Sequence, residues 1–597
     1  MEIKVLKCRI PMIVGLLSGL LLFTFNVIGF NFSHFPGDLG DARLNIYFLE
    51  HASKFFSGKI ASFWDAPFMY PVNNISTYSD NLLGSAPLYL LFRLTGMDIF
   101  LSFQMWYITI SALNYICAYY FLNYVFKNRY AAVLGAFIFA FSIALNSQLT
   151  HAQTFPRFVI PLSLWMAVRF SEDLKLSSFF FTLILLVYQF YCGVYLGFML
   201  AIPVCIFLFF IVLRAIIVMR NEVRNLRWFS GIIVLTAVNI LLLLPLMIPY
   251  MERNIIPDPE HYNLISASLP SLNSYLFSPK GSMFWNFLSS NGLQYTAWWD
   301  HQIFTGGLAV TCFIASAICL LYHLLRSRIT LNKTVITALL TLTGFITLVL
   351  FLRIDNFSLY YTIYQIPGFS SMRSLTRIIN VELIFFAIAT AFIFSLIMEK
   401  YKKQTMLIYI TALFFLVIDN YQKPEYLHRT NVNSARERTL DLEKAYSVLP
   451  VGSLVSYEPG KIESDPVHYQ LDGMLAAQKF NLISLNGYSA ECPREYVLYW
   501  HAPGTKSRNF WLCKKVISFD TIFTVDEKAN INKFAISEIK RDCNLIVAKE
   551  KLDFFIQTIR ADKKWMEHIL EKALKQNIPI DSMIQLDAQW MLENLNN

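Results

Sequence analysis

Residues Ile10–Phe30 read IPMIVGLLSGLLLFTFNVIGF, without a charged side chain, directly after Lys4, Lys7 and Arg9. At about 1.5 Å of rise per residue, a helix of this length crosses a hydrocarbon layer about 30 Å thick. The run exceeds a secretory h-region and no small-x-small cleavage site follows it, so it reads as a retained signal anchor with its basic flank inside. Ten further apolar runs repeat the pattern: Ile99–Phe126, Ala131–Leu149, Phe155–Phe170, Ser177–Tyr191, Gly193–Met219, Phe229–Tyr250, Ile303–Leu325, Thr334–Leu352, Ile379–Met398 and Thr405–Asp419. The fifth and sixth of the eleven form one tract, divided here at Cys192-Gly193.

Composition agrees. Apolar residues make up 55%, charged residues only 15%, and mean hydropathy is +0.45, more apolar surface than a soluble chain can hide. Aromatics at 16% suit interfacial belts and lipid contact. A formal charge of +9 would suit nucleic acid, but the cations sit between the apolar runs, where orienting the chain is their simpler role. The expected partner is therefore the lipid bilayer and not nucleic acid. Walker, dinucleotide-binding, HExxH and GxSxG motifs are absent from the sequence, so a cytoplasmic nucleotide-driven mechanism has no support.

With the N-terminus inside, alternation puts Lys127/Arg129, Arg169/Lys175, Arg220/Arg224/Arg227, Arg326/Arg328/Lys333 and Lys400/Lys402/Lys403 on that same side, as the positive-inside rule requires. Shifting the count by one span spoils the agreement. The expected fold is an α-helical polytopic membrane protein with about eleven transmembrane helices over residues 1–420. An odd count sends residues 421–597 outside, where ordinary charge density and short apolar runs (Gly452–Tyr457, Asn481–Leu485, Asn544–Ala548) alternate with helical patterns (His468–Gln478, Lys563–Lys575). That reads as a mixed α/β extracytoplasmic domain. Of nine cysteines, Cys492, Cys513 and Cys543 lie there without metal-ligand spacing; outside, one disulfide and one leftover thiol are expected.

Three outside loops are long: 31–98, 251–302 and 353–378. Ordered loops of that length tend to carry sites. The first opens Phe35-Pro-Gly-Asp38-Leu-Gly-Asp41-Ala-Arg43, two carboxylates three residues apart at the membrane surface. They read either as helix caps or as a general base and a divalent-cation site (Mg or Mn). An amphipathic stretch with Leu44, Tyr47, Phe48 and Phe55 on one face follows, suited to lying in the interface plane. Asp80 and Asn81 enter the next apolar stretch, again as caps or as site residues. His151 and Arg157 fall in a short outside turn. Arg373 and Arg377, spaced one helical turn apart before the tenth span, are outside cations that suit a phosphate or a lipid headgroup. Glu382 is an intramembrane acid, functional by default. Trp285, Trp298, Trp299, Asp300 and His301 of the second loop read as interfacial or as part of a lipid-chain groove.

The arrangement resembles the GT-C superfamily of integral membrane glycosyltransferases, in the long acidic first outside loop, the many spans and the C-terminal outside domain. Gly37-Asp38-Leu-Gly-Asp41-Ala-Arg43, Leu83-Gly-Ser-Ala-Pro87, the segment from His151 to Pro161, Pro367-Gly-Phe-Ser-Ser-Met-Arg373 and Asn486-Gly-Tyr488-Ser carry the resemblance. Asp41 is followed by Ala42 where well-studied members often have a second acid, which leaves the catalytic role open between Asp38 and Asp41. The resemblance implies a polyprenyl-phosphate-linked sugar donor and a glycan, lipid or protein acceptor. It further implies inversion at the anomeric centre, and a site facing the exterior of a bacterial plasma membrane. Arg373, Arg377 and Arg157 would bind the donor phosphate, and Tyr488 is the candidate in the C-terminal domain. A lipid-linked sugar flippase and a polysaccharide polymerase or ligase are the alternatives. Clustering of ionisable residues at one face favours an enzyme over a transporter, whose charges would spread through many spans.

Overall fold

The computed structural model describes residues 2–218, 226–252, 261–295, 297–326, 333–355, 357–462, 465–541, 543–576 and 578–594. Arg220, Arg224 and Arg328 of the basic loops lie outside these residues. The chain forms two compact units, Met1–Phe63 with Asp80–Ser434, and Trp64–Ser79 with Ala435–Asn597.

Helices of the first unit follow the apolar runs. By length and composition six described helices can cross a membrane: Arg9–Ile28, Ile99–Phe126, Arg129–Gln148, Val194–Ile216, Arg227–Met251 and Leu375–Lys400. Three more, Leu176–Cys192, Gly307–Tyr322 and Val335–Phe351, are apolar but shorter. The runs at 155–170 and 405–419 form the helices Val159–Asp173 and Thr405–Asn420 of 15 and 16 residues. At about 1.5 Å per residue these two reach less than 30 Å, so the expected count of eleven full-length spans is not what helix length alone gives.

The helix Ile379–Lys400 is buried nearly all round and forms the middle of the unit. A helix apolar on every side must be enclosed. It packs on Arg129–Phe141 so closely that a Cβ at Gly135 would stand 2.5 Å from the Ala387 carbonyl oxygen. The stretch after the first span is stitched to the stretch after the last apolar helix: His34–Pro36 pairs antiparallel with Arg429–Asn431. The helix expected to lie in the interface plane, Asp41–Phe56, is instead buried from Ala42 to Leu49. It packs on Ala86–Leu94, with Arg93 Nε donating to Glu50 at 2.7 Å. Only its last turn is open, with Phe55 half-buried and Phe56 exposed.

In the second unit a four-stranded sheet runs in the order Ile483–Ser484, Leu454–Glu458, Thr521–Asp526, Ile531–Ala535; the first three are parallel and the last closes an antiparallel hairpin. The 64–79 segment, read from sequence as part of the first loop, belongs here because it lines the sheet edge: Ser484 N–H donates to Pro67 O at 2.9 Å and Tyr70 N–H to Ser484 O at 3.2 Å. Asn486 bridges Tyr457 N–H and O at 2.6 and 3.0 Å, and a Cβ at Gly487 would meet Met69 at 2.4 Å. The Asn486-Gly487 pair thus locks that segment in place. The run at 544–548, expected as a strand, is part of the helix Cys543–Ala561. Cys513 and Cys543 form a disulfide and Cys492 is free.

Candidate active site

Four stretches of the first unit converge on His151. Gly37 brings in the first. It sits at φ +96°, and a Cβ there would stand 2.9 Å from the Leu149 carbonyl oxygen. Only glycine permits both the angle and the approach. Its N–H donates to His428 O at 2.9 Å, and Thr430 Oγ1 donates to its carbonyl at 2.7 Å. The loop is thereby pinned beside 149–151. Asp38 then takes the capping role: its Oδ1 accepts from Gly40 N–H at 3.1 Å and Ala42 N–H at 3.2 Å, at the start of the helix Asp41–Phe56. Asp41 is left to project toward His151, with Oδ2 3.3 Å from Nδ1.

The other imidazole nitrogen, Nε2, lies 3.5 Å from Asp300 Oδ1, an ion-pair separation and too long for a strong hydrogen bond. Asp300 Oδ2 accepts from Ser374 Oγ at 2.9 Å. Arg377 Nη2 lies 3.2 and 3.3 Å from the two ring nitrogens of His151. Its guanidinium also sits 5.5 Å from the Tyr195 ring centre. Counted formally, Asp41, Asp300, Arg377 and a protonated His151 sum to zero charge, whereas a neutral imidazole leaves one net negative charge. Burial and Arg377 push the His151 pKa down, but the two carboxylates outweigh them and the net shift is upward. Burial pushes Asp300 up, yet His151, Arg377 and Ser374 hold its pKa well below the usual carboxylate range. The neighbouring His301 is lowered to about 4, chiefly by burial. Its Nδ1 meets Ser274 Oγ at 2.8 Å and its ring stacks on Tyr295 at 4.2 Å. Asp41 is the more open of the two carboxylates, its side chain 32% exposed against 12% for Asp300.

Arg373 and Arg377 do not share a helical face. The segment is extended at Ser374 (φ −115°, ψ 89°), a 3₁₀ turn runs Leu375–Ile378, and the α-helix starts at Ile379. Arg373 is exposed, while its backbone is tied down: its N–H donates to Tyr195 Oη at 2.8 Å and its carbonyl accepts from Ser268 Oγ at 2.6 Å.

Of the remaining candidates, Asp80 borders the cluster, near enough for the Arg377 charge to act on it, and the others lie apart. Asp80 caps the helix Val194–Val218 from a distance in sequence, accepting from Val194 N–H at 2.6 Å and Tyr195 N–H at 3.4 Å. Asn81 Nδ2 donates to Phe190 O at 3.2 Å. Together they clamp the break at Gly193, which divides the tract where the sequence reading placed it. Burial pushes Asp80 up to about 6 against the pull of those N–H groups. Arg157 is 4% exposed and donates to Asn380 Oδ1 at 3.0 Å. It lines a small cavity that includes none of Asp41, His151, Asp300 or Arg377. Glu382 accepts from Tyr275 Oη at 2.8 and 3.0 Å, tying the second loop to the central helix. Tyr488 belongs to the second unit, its ring 6.0 Å from Trp500.

Sequence reasoning missed three residues. Asp300 was legible only as part of an aromatic stretch, and Ser374 and Tyr195 carry no signal of their own. Among the described residues no group of three His, Cys, Asp or Glu side chains is placed to hold a metal ion. Asp38 is engaged with backbone N–H groups and Asp41 with His151, so of the alternatives the sequence leaves open for this pair, the geometry favours cap and base over a Mg or Mn site. An apolar cleft of about 630 Å³ opens among Leu162, Trp165, Phe181, Leu185, Tyr188 and Leu242.

No protein-family profile and no curated sequence matches the chain. Among solved structures it is similar to the oligosaccharyltransferase of Archaeoglobus fulgidus in its apo form (12% identity, TM-score 0.43, 80% of this chain and 64% of that one). It is also similar to the same enzyme tethered to an acceptor peptide (11%, TM-score 0.46, 84% and 65%). A third likeness is to ArnT from Cupriavidus metallidurans bound to undecaprenyl phosphate (9%, TM-score 0.39, 81% and 86%). The chain thus spans less than two thirds of the oligosaccharyltransferase's length.

Proposed function

We propose that the chain is a GT-C-type membrane glycosyltransferase that moves a sugar from a polyprenyl-phosphate donor to a glycan, lipid or protein acceptor. The observation that carries this reading is the cluster in which Asp41 and Asp300 flank His151 with Arg377 against the ring. In the reaction the acceptor hydroxyl oxygen attacks the anomeric carbon, the bond from that carbon to the lipid phosphate oxygen breaks, and the phosphate leaves with the electron pair. The hydroxyl proton passes to Asp41, the carboxylate open enough to meet it. His151 holds that carboxylate in place, and Asp300 and Ser374 hold His151. Arg377, with exposed Arg373 beside it, stabilises the charge growing on the leaving phosphate. Displacement from the opposite face inverts the centre. The apolar cleft suits the isoprenoid tail.

The cluster sits at the ends of apolar helices opposite the ends that carry Lys127 and Lys402. By the positive-inside rule it faces outward from a bacterial plasma membrane. The Cys513–Cys543 disulfide supports an oxidising compartment for the second unit. A flippase would use the same cations without a base. The test is transfer of radiolabel from a panel of polyprenyl-phosphate sugars to a membrane lipid or glycan extract by the purified protein in nanodiscs. Label in the acceptor fraction is expected. Binding of donor without transfer to any acceptor, together with donor movement across vesicles, would replace this reading with the flippase.

A further inference from the structure

Arg157 is a buried cation whose charge nothing in the described protein balances. Its side chain is 4% exposed, its Nη1 donates to Asn380, its Nε is buried without a hydrogen-bond partner among the described residues, and its guanidinium stands 5.7 Å from the Phe139 ring centre. Among the described residues no carboxylate pairs with it. Burying a charge away from water is costly unless it is paired and hydrogen-bonded. The guanidinium borders a partly open cavity of about 40 Å³ among the first, second and third apolar helices and the turn that follows them. The hydroxyls of Thr24, Tyr107 and Ser111 line the same cavity and make no hydrogen bond to a described residue. The guanidinium can only donate, the three hydroxyls can each turn a donor inward, and together they border a space holding between one and three water-sized guests. The amides of Gln148 and Asn146 also line it; Gln148 Oε1 is buried without a partner among the described residues, and either amide presents its N–H₂ to the cavity after a flip.

We infer that this cavity is a binding site for a small monovalent anion of chloride size, held by Arg157 and the Thr24, Tyr107 and Ser111 hydroxyls. Its volume separates it from a site for a sugar phosphate. It also reaches the candidate active site: Asn380 accepts from Arg157 and donates Nδ2 to the Arg377 carbonyl at 3.0 Å. An anion that fixes Arg157 therefore fixes the turn that carries Arg377.

The experiment is thermal unfolding of the detergent-purified full chain in sodium chloride, bromide, gluconate and phosphate at matched ionic strength. Chloride and bromide are expected to raise the midpoint by a few degrees in a saturable way, with no such rise in gluconate or phosphate. Arg157→Met is expected to abolish the halide effect. Should that variant fail to fold, Ser111→Ala with Thr24→Val is expected to weaken halide affinity several-fold. Equal midpoints in chloride and gluconate, or an unchanged halide effect in the variants, would overturn the inference. A saturable rise in phosphate without one in halide would overturn it too, and would reassign the cavity to the donor phosphate.

Discussion

Asp41 and Asp80 lie in the same loop and each stands at the start of a helix, Asp41 of its own and Asp80 of Val194–Val218, yet the protein uses them differently. Asp80 accepts from the first two N–H groups of Val194–Val218 and stands beside a break in an apolar tract. Asp38 provides the corresponding cap for Asp41–Phe56, which releases Asp41 to meet His151. A carboxylate whose oxygens are taken by backbone donors holds a fold, whereas one that faces an imidazole and partial solvent is available for chemistry. The contrast comes from who caps the helix, which neighbouring residue types alone do not decide.

Among variants that keep both carboxylates, the largest effect is expected for Arg377→Gln. Removing a cation aimed at the leaving phosphate lowers kcat about 10²–10³-fold. Arg373→Gln, on an exposed side chain, is expected to raise KM more than it lowers kcat. Equal losses of kcat for both would erase the distinction between them.

Asp300→Asn tests the far side of His151. The native imidazole has its pKa raised by its two carboxylates, so its charged form persists above the ordinary value of 6.5. Activity that needs this charge is present at low pH and lost as pH rises through the raised pKa. Asp300→Asn removes one of those carboxylates, and the alkaline limb of the pH–rate profile moves to lower pH. A limb that stays in place would assign it to another group. The same sign holds for stability: the His151 contribution is present below its unfolded pKa and fades as pH rises through the folded one.

The smallest effect falls on Asp80. Its pKa is raised to about 6, so burying its charge costs stability as pH rises through that value. Asp80→Asn keeps an oxygen for Val194 N–H and removes the charge, so stability changes little and its decline between the unfolded value of 3.8 and about 6 flattens. Asp80→Ala loses the cap, at about 1–2 kcal/mol. Chemical-denaturant unfolding across pH measures both. An unaltered pH dependence in Asp80→Asn would show that the charge was never buried.

Much of this was legible in the sequence. Uninterrupted apolar length marked the helices, and Gly193, a residue with no side chain inside an apolar tract, marked the break. Asp38, Asp41, His151 and Arg377 stood out because charge at a membrane surface calls for a reason. Three things were hidden. Asp300 reaches His151 across 149 positions, and such long-range pairing leaves no local pattern. The 64–79 segment joins a sheet built from residues after 454, and the backbone hydrogen bonds that hold it do not depend on residue type. Arg373 and Arg377 have helical spacing, but the chain is extended between them at Ser374. Spacing constrains a face only where the helix exists.

The most direct measurement is sugar transfer by Asp41→Asn and Asp80→Asn side by side, in nanodiscs, at saturating donor and with unfolding midpoints recorded on the same samples. Asp41→Asn is expected to lower kcat about 10²–10⁴-fold with its midpoint unchanged, while Asp80→Asn keeps kcat within a few-fold of the native protein. Undiminished transfer in Asp41→Asn, or equal losses in the two variants, would contradict the assignment of Asp41 as the base.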